Sequence, residues 1–394
     1  MRSSGLLLGS RAVFTPALVA CYAITVALHV ASIGLSTLLP FQMVALGGTG
    51  TQVGLLFSVM TVVSMVLRPT IGSWVDQLGA RWVMVPGIAA LTVTCLALQV
   101  VSAPEGLIAL MIGLGLANAL ISTPASVLTA TSTGPEHRGE ALGTYYLASS
   151  VGVALAPPIA FGLQAVGGLP LAFAAMTAIA SVIAWLVTRL PGAPSARPLG
   201  GSSRFRLVSV GALPVSGALV LATLGHSSVY AFLPLYAVSR GRGAALAWFF
   251  SVYPLWMIAC RVLMRGIADR VSRGRVAMMA MALQAVAYLI LALPPSPATL
   301  VLAAIALGTG GAVLYPTLAA LVVDRADEAD RGLALGTLSG SWDLGVVIGS
   351  VLIGAAADRV SYGAGFIVGA LGAAVGTLAL ALGESRRTVA MASR

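Results

Sequence analysis

Long apolar segments separated by short loops are the feature that most restricts the folds open to this chain. A transmembrane helix needs about 20 apolar residues to cross a hydrocarbon core. Only 9% of the residues are charged, whereas soluble domains have about 25%. The segments that we read as helices are 14–44, 52–75, 82–102, 106–132, 140–165, 168–189, 207–237, 244–267, 274–293, 298–323, 332–356 and 361–383. The sequence therefore predicts an all-α membrane protein with twelve transmembrane helices.

A repeat divides these segments into two halves. An Arg and an Asp near the end of the second segment recur at a fixed offset of 193 residues, and so does a longer run at the start of the fifth segment. The repeated positions are Arg68 and Arg261, Asp76 and Asp269, and the segments 138–144 and 331–337. We therefore predict two pseudo-symmetric six-helix bundles, residues 1–190 and 207–394. Residues 191–206, rich in Pro, Gly and Ser, form the cytoplasmic linker between them.

The repeated loop carries a recognisable pattern. Gly72-x-x-x-Asp76-x-x-Gly79-x-Arg81 lies between the second and third apolar segments and resembles the signature loop of the major facilitator superfamily. The resemblance implies transport by alternating access, with parallel repeats related by an axis along the membrane normal. It also implies that Asp76 meets the N-terminal end of the eleventh helix in the outward-facing state. The gating residues predicted on this basis are Arg68, Gly72, Asp76, Arg81, Arg261, Asp269 and Arg270.

A second pattern favours one branch of this family. The run from Gly152 to Gly162 in the fifth helix resembles, with Ala in place of some Gly, the glycine and proline run of drug and metabolite antiporters. The buried Arg that often precedes a Gly pair in the fourth helix of the family is absent from 108–115. Proton coupling would therefore depend on other residues.

The distribution of arginine predicts the orientation. All 22 basic residues are Arg. With the N-terminus inside, 17 of them fall on cytoplasmic segments, three on outer loops (Arg240, Arg242 and Arg359) and two within helices. Because basic residues in short loops are retained in the cytoplasm, we expect both termini to be cytoplasmic and the chain to be a multi-pass protein of a bacterial inner membrane.

Two ionisable residues lie deep within the predicted helices. Asp343 is twelve residues past Arg331, or about 18 Å along the helix, near the bilayer midplane. His29 shares a helix face with Thr25, Ser32 and Ser36. Ionisable groups at such depth are costly and mark functional sites by default. We therefore take Asp343 as the principal proton-coupling candidate and His29 as the second, with hydrogen bonding to a neighbouring helix as the alternative for each. Packing is the preferred interpretation for His226.

Aromatic and polar residues on six helices are candidates for the lining of a substrate cavity. They are Asn118, Tyr145, Tyr146, Tyr230, Tyr253, Trp256, Tyr315 and Trp342. As a group they suit an organic solute better than a bare ion. The three cysteines lie apart in apolar segments, which supports neither a disulfide nor a metal site, and we expect no cofactor. The net charge of +10 is explained by topology, so nucleic acid is not expected as a partner.

These observations together predict a secondary active transporter, not an enzyme. The chain has no Lys and hence no P-loop, and no nucleophile elbow is visible. We expect a monomer in the lipid bilayer that exports a small organic solute, a drug or a metabolite, in exchange for protons. The alternative is a proton-coupled or facilitative importer of a sugar or small metabolite.

Overall fold

In a computed structural model, the chain is described over residues 14–133, 137–192, 208–264, 271–327 and 330–392. The first four helices agree with the predicted segments to within a few residues at most ends. They are α1 (Pro16–Ala45), α2 (Gly50–Leu78), α3 (Ala80–Ala97) and α4 (Pro104–Thr131). The largest difference is in α3, which ends five residues before the predicted limit of 102.

A helical stretch of 50 residues follows, Arg138–Val187. At 1.5 Å per residue it would extend about 75 Å, more than twice the thickness of a hydrocarbon core. The stretch is interrupted at Gly167 and Gly168, where Gly168 has a φ of 69° that residues with a side chain rarely adopt. It therefore contains two spans, α5 (138–166) and α6 (169–187), as the sequence predicts.

Six further helices complete the described chain. They are α7 (Val210–Ser239), α8 (Leu246–Leu263), α9 (Arg273–Ala292), α10 (Pro297–Arg325), α11 (Arg331–Arg359) and α12 (Tyr362–Ala392). Among the described residues, eleven helical stretches are long and apolar enough to cross a membrane, and the stretch with the glycine break accounts for two crossings. The prediction of an all-α membrane protein with twelve spans is confirmed.

The signature loop is shorter than the sequence suggests. Asp76 lies in the last turn of α2 and Arg81 in the first turn of α3, so that Gly79 alone separates the two helices. Its φ of 87° reverses the chain in one residue, a conformation that favours glycine. The glycine of the pattern is therefore explained by backbone geometry.

The chain forms two compact units. Unit 1 comprises residues 1–38 and 63–202. In it, α2, α3 and α4 share an apolar core that includes Ile71, Val83 and Leu120. Helix α5 lies directly against α1, because a Cβ on Gly152 would be 2.7 Å from the carbonyl oxygen of Val26.

Unit 2 comprises residues 39–62 and 203–394. Its main core joins α7, α9, α10, α11 and α12 through small and branched residues such as Ala218, Met281, Leu318 and Leu338. The division differs from the predicted halves in one respect, since the segment 39–62 packs with unit 2. This segment contains the end of α1 and the first half of α2. The described part of the linker ends at residue 192.

Candidate substrate and coupling site

A continuous row of aromatic rings runs through unit 2. His226 lies at the centre, with its ring centroid 5.0 Å from that of Trp342 and 6.0 Å from that of Tyr230. Tyr315 extends the row on one side, 5.8 Å from Trp342. On the other side, Tyr230 leads through Phe250 and Phe249 to Tyr253. Four of the predicted cavity residues, on four different helices, are thus brought together.

An irregularity in α7 positions the middle of this row. Regular helix ends at Thr223, and a π-helical turn follows at Ser228–Phe232. At this break, Gly225 packs against the ring of Tyr288, where a Cβ would lie 2.5 Å from Cε2. Turns of this kind widen the helix and are frequent at functional sites. The break therefore sets the directions in which His226 and Tyr230 project.

For His226 the sequence favours a packing role, but it does not show against which residues the ring packs. The structure places it between Trp342 and Tyr230. The four-residue spacing from His226 to Tyr230, which puts both on one helix face, was the available signal. The sequence could not show that the ring of Trp342, on α11, contacts His226.

Asp343 follows Trp342 on α11 and is buried, with 8% of its surface exposed. Its neighbour Ser341 donates a hydrogen bond to the carbonyl of Thr337 within the same helix, at 2.8 Å. A carboxylate this deep in an apolar unit is destabilised in its charged form, whereas a cation close by would stabilise it. A buried acid on the helix that also supplies Trp342 to the aromatic row can bind a proton or a cationic group.

Hydrogen bonds to neighbouring helices fix two of the aromatic candidates, Tyr315 and Trp256. The hydroxyl of Tyr315 lies 2.6 Å from that of Ser339 on α11. Trp256 on α8 is 38% exposed, and its indole N–H donates to the hydroxyl of Thr309 on α10 at 2.8 Å. Trp256 makes no ring contact with the row among the described residues. It is held at a separate place between α8 and α10.

In unit 1, His29 is bonded at both ring nitrogens. Nδ1 lies 2.8 Å from the carbonyl oxygen of Thr25, which can only accept, so Nδ1 carries a hydrogen. Nε2 lies 2.9 Å from the hydroxyl of Ser149 on α5. A neutral ring therefore accepts from Ser149, while a protonated ring requires that hydroxyl to reverse. The contacts fit the alternative of a hydrogen-bonded packing histidine, and a role in coupling stays a prediction.

The other candidates of unit 1 lie on α4 and α5. The hydroxyl of Tyr145 donates to the carbonyl of Ser122 at 3.0 Å, and the Ser122 hydroxyl donates to the carbonyl of Asn118 at 2.6 Å. Tyr145 is buried, whereas its edge-on neighbour Tyr146 is 56% exposed. Asn118 is half-buried. These residues form a cluster of their own within the unit.

The signature-loop residues are partly described. Oδ1 of Asp76 is buried and accepts no hydrogen bond from any described residue. The guanidinium of Arg81 lies over the ring of Trp82, 5.5 Å from its centroid, and no ion pair between Arg81 and Asp76 occurs in the described part of the chain. A Cβ on Gly72 would meet open space.

The two helix arginines of the loops, Arg68 and Arg261, are both half-buried near the ends of α2 and α8. Their equivalent places agree with the repeat. Asp269 and Arg270 lie outside the described residues, so the second copy of the loop stays a prediction.

Comparison with known proteins agrees with this architecture. A family model described as Major Facilitator Superfamily matches residues 19–247 and 215–390. The staphylopine export protein of Staphylococcus aureus (strain Mu50 / ATCC 700699) is 24% identical over 358 residues, covering 86% of this chain and 89% of the relative. An uncharacterised MFS-type transporter of Burkholderia mallei (strain SAVP1) is 26% identical over 343 residues, covering 84% and 83%.

Solved structures show the same fold. A crystal structure of a point mutant of the nucleoside transporter NupG superposes with a TM-score of 0.76 at 15% identity, covering 93% of this chain and 99% of that chain. A crystal structure of a point mutant of the peptide transporter POT, in complex with sulfate, gives a TM-score of 0.78 at 14% identity, covering 94% of each chain. At such identities the likeness concerns the fold alone.

Proposed function

Because the chain belongs to the major facilitator superfamily, whose members are transporters and not enzymes, we propose that it exports a small organic solute in exchange for protons. Asp343 carries this proposal, as a buried carboxylate that directly follows Trp342, a member of the aromatic row of unit 2, in the sequence of α11. The S. aureus relative that bears the name of an export protein supports the direction. The coupling residue and the solute class are inferred from the site.

Competition at Asp343 is the proposed coupling mechanism. When the carboxylate is deprotonated, it can attract a solute that offers a cationic or hydrogen-bonding group, and the rings on either side of His226 can contact the apolar body of the solute. Protonation neutralises Asp343 and weakens that attraction. Because solute and proton favour opposite charge states of one group, each displaces the other, which is sufficient for antiport.

Alternating access supplies the second part of the mechanism. The repeat at an offset of 193 residues favours two halves that rock about a central site. The solute would enter from the cytoplasm, where the arginine-rich loops lie in the proposed orientation. Exposed tryptophans at the inner ends of α2, α3 and α6 (Trp74, Trp82 and Trp185) and at the outer end of α8 (Trp248) suit the two membrane interfaces of this topology.

The test begins with ligand identification. A thermal-shift screen of the purified protein against a panel of organic cations, zwitterions and neutral metabolites identifies a solute. The solute is then added to everted membrane vesicles that contain a pH-sensitive dye. Respiration acidifies the inside of these vesicles, and the dye reports the release of protons from the inside when the solute is transported. Export coupled to protons predicts solute accumulation in the vesicles with loss of the pH gradient. An importer predicts no accumulation driven by internal acid.

Asp343→Asn removes the titrating group and keeps the shape. We expect it to abolish proton-driven accumulation and to leave solute binding measurable by thermal shift, with an affinity that no longer changes with pH. Asp343→Glu, the matched control, retains a titrating carboxyl and should retain part of the coupling. An Asn variant that accumulates solute against a gradient at the wild-type rate would remove Asp343 from the mechanism.

A further inference from the structure

A single carboxylate at the outer end of α11 binds the first residues of α2. The Asp358 side chain accepts from the backbone N–H of Gly50 at 2.5 Å, and from the backbone N–H and the hydroxyl of Thr51 at 2.8 and 2.6 Å. The first N–H groups of a helix have no partner within the helix and form its positive end. A carboxylate is therefore the group best suited to this position, although it comes from the other end of the chain.

Below this contact, the two helices touch backbone to backbone. A Cβ on Gly354 would overlap the carbonyl oxygen of Gly50 and lie 2.9 Å from its carbonyl carbon. A Cβ on Gly54 would lie 2.8 Å from the carbonyl carbon of Ser350. One turn farther along, the hydroxyls of Ser58 and Ser350 are 2.6 Å apart. Small residues thus allow about three turns of α2 and α11 to lie in direct contact.

We propose that Asp358, with its partners Gly50 and Thr51, is an outer latch that stabilises the conformation closed on the outer side. This inference rests on the proposed alternating access. Opening toward the outside requires the outer ends of α2 and α11 to separate. Separation would leave the start of α2 without its cap and would deprive Asp358 of three charge-assisted hydrogen bonds, which only water could replace. The latch thus shifts the equilibrium toward the outward-closed state.

The latch has no second copy in the other half. The offset of 193 residues places Ala165 at the position that corresponds to Asp358, and Gly243 and Ala244 at those of Gly50 and Thr51. The two ends of the pseudo-symmetric interface therefore differ in chemistry. Because the device depends on one carboxylate, one substitution removes it.

The test measures the distance across the latch in the full-length protein. Spin labels at Ala45, the last residue of α1, and at Val360, directly after α11, are both at exposed positions. The native cysteines, which are all buried, are replaced by alanine. Pulsed electron paramagnetic resonance in lipid nanodiscs then gives the populations of short and long distances. No solute is needed, so the result does not depend on the transport assay of Asp343.

Asp358→Asn is the main variant and Glu105→Gln the matched control. Glu105 is an acid in the first turn of α4, which the proposed topology places on the same outer side, and the substitution changes the charge by the same amount. We expect Asp358→Asn to raise the ratio of long-distance to short-distance conformers on the order of tenfold, and Glu105→Gln to leave it unchanged. Thr51→Val, which removes one of the three donors, should give a smaller shift in the same direction.

Two results would overturn the latch: an Asp358→Asn distribution identical to that of the wild type, or an equal shift in Asp358→Asn and Glu105→Gln. If Asp358→Asn does not fold, the same distance measurement is made on Thr51→Val. An unchanged distance distribution in that variant would then overturn the latch. If the wild-type protein shows no proton-driven export but the distances shift as expected, the latch is supported and the proposed proton coupling is refuted.

Discussion

Replacing Gly349 by alanine tests how α11 packs against α7. A Cβ on Gly349 would overlap the carbonyl oxygen of Leu224 and lie 2.6 Å from the Cα and carbonyl carbon of the same residue. These are backbone atoms, which cannot rotate away as a side chain can. Ordinary van der Waals contact begins near 3.4 Å, so the two carbons alone would require the helices to separate by about 0.8 Å at this level, and the nearer carbonyl oxygen requires more.

The cost of that separation can be estimated. Overpacking in a well-packed core costs about 1–3 kcal/mol, and sometimes more. Gly336, on the same helix, provides the matched control because a Cβ there would meet open space. Alanine at an exposed interior position of a helix is more favourable than glycine by roughly 0.5–1 kcal/mol. The two substitutions are chemically identical, yet we expect Gly349→Ala to destabilise the protein and Gly336→Ala to stabilise it slightly.

Thermal unfolding of the purified protein in detergent measures this difference. A gap of about 2–4 kcal/mol corresponds to a difference in Tm on the order of 5–15 °C for a unit of this size. Gly345, where a Cβ would overlap the Thr223 hydroxyl and the Val220 carbonyl oxygen, should behave like Gly349. Equal Tm values for Gly349→Ala and Gly336→Ala would show that α11 does not pack on α7 as described.

Two further predictions concern unit 1. Asp76→Asn should increase labelling of a cysteine on the cytoplasmic side of the cavity, because the proposed contact of Asp76 with the start of α11 stabilises the outward-facing state and the substitution weakens it. In the structure, Oδ1 of Asp76 accepts no hydrogen bond from the described residues. Glu140→Gln, the loss of another acid on the proposed inner side, is the control, and equal labelling of the wild type and both variants would refute the proposed role. His29→Gln should retain proton-driven transport with an unchanged pH profile if His29 only packs, because an amide can replace its hydrogen bonds to Thr25 and Ser149. The amide cannot titrate, so a shifted pH profile would instead identify His29 as a second proton site.

The helices and the repeat could be predicted because each depends on local chemistry. The thickness of the bilayer fixes the length of an apolar span, so even the break within 138–187 was expected at the correct place. The one-residue turn at Gly79 was not expected. Composition cannot show that one residue with a positive φ reverses the chain, so Asp76 and Arg81 were read as loop residues although both lie in helices.

The arrangement of side chains at the site could not be predicted, because it depends on how helices cross. Tyr230, Tyr253, Tyr315 and Trp342 can be named from the sequence as aromatic candidates, but their connection through His226 follows from the break and the π-helical turn in α7. Trp256 carries the same chemistry but is bonded elsewhere, to Thr309. The importance of Asp358 depends on contacts with residues at the other end of the chain, which no local pattern reveals.

The register of α11 connects the proposed proton site to the outer contact. Asp343, Ser350 and Gly354 follow one another at intervals of seven and four residues, so they lie on one stripe of the helix. Farther out, α2 covers this stripe at Ser350 and Gly354. Trp342 and Gly349 lie on another stripe, next to α7.

The stripe from Asp343 to Gly354 is about 17 Å long, and over this length an α-helix moves as a rigid rod. A tilt or rotation of α11 that changes the surroundings of Asp343 must therefore also displace the stripe that α2 covers. The same movement shifts Trp342 relative to His226 and thus alters the aromatic row. If Asp343 binds a proton as proposed, α11 connects its charge state to the solute through α7 and to the outer side through α2. Under the proposed mechanism, proton binding, solute release and outer opening would then all depend on the position of one helix.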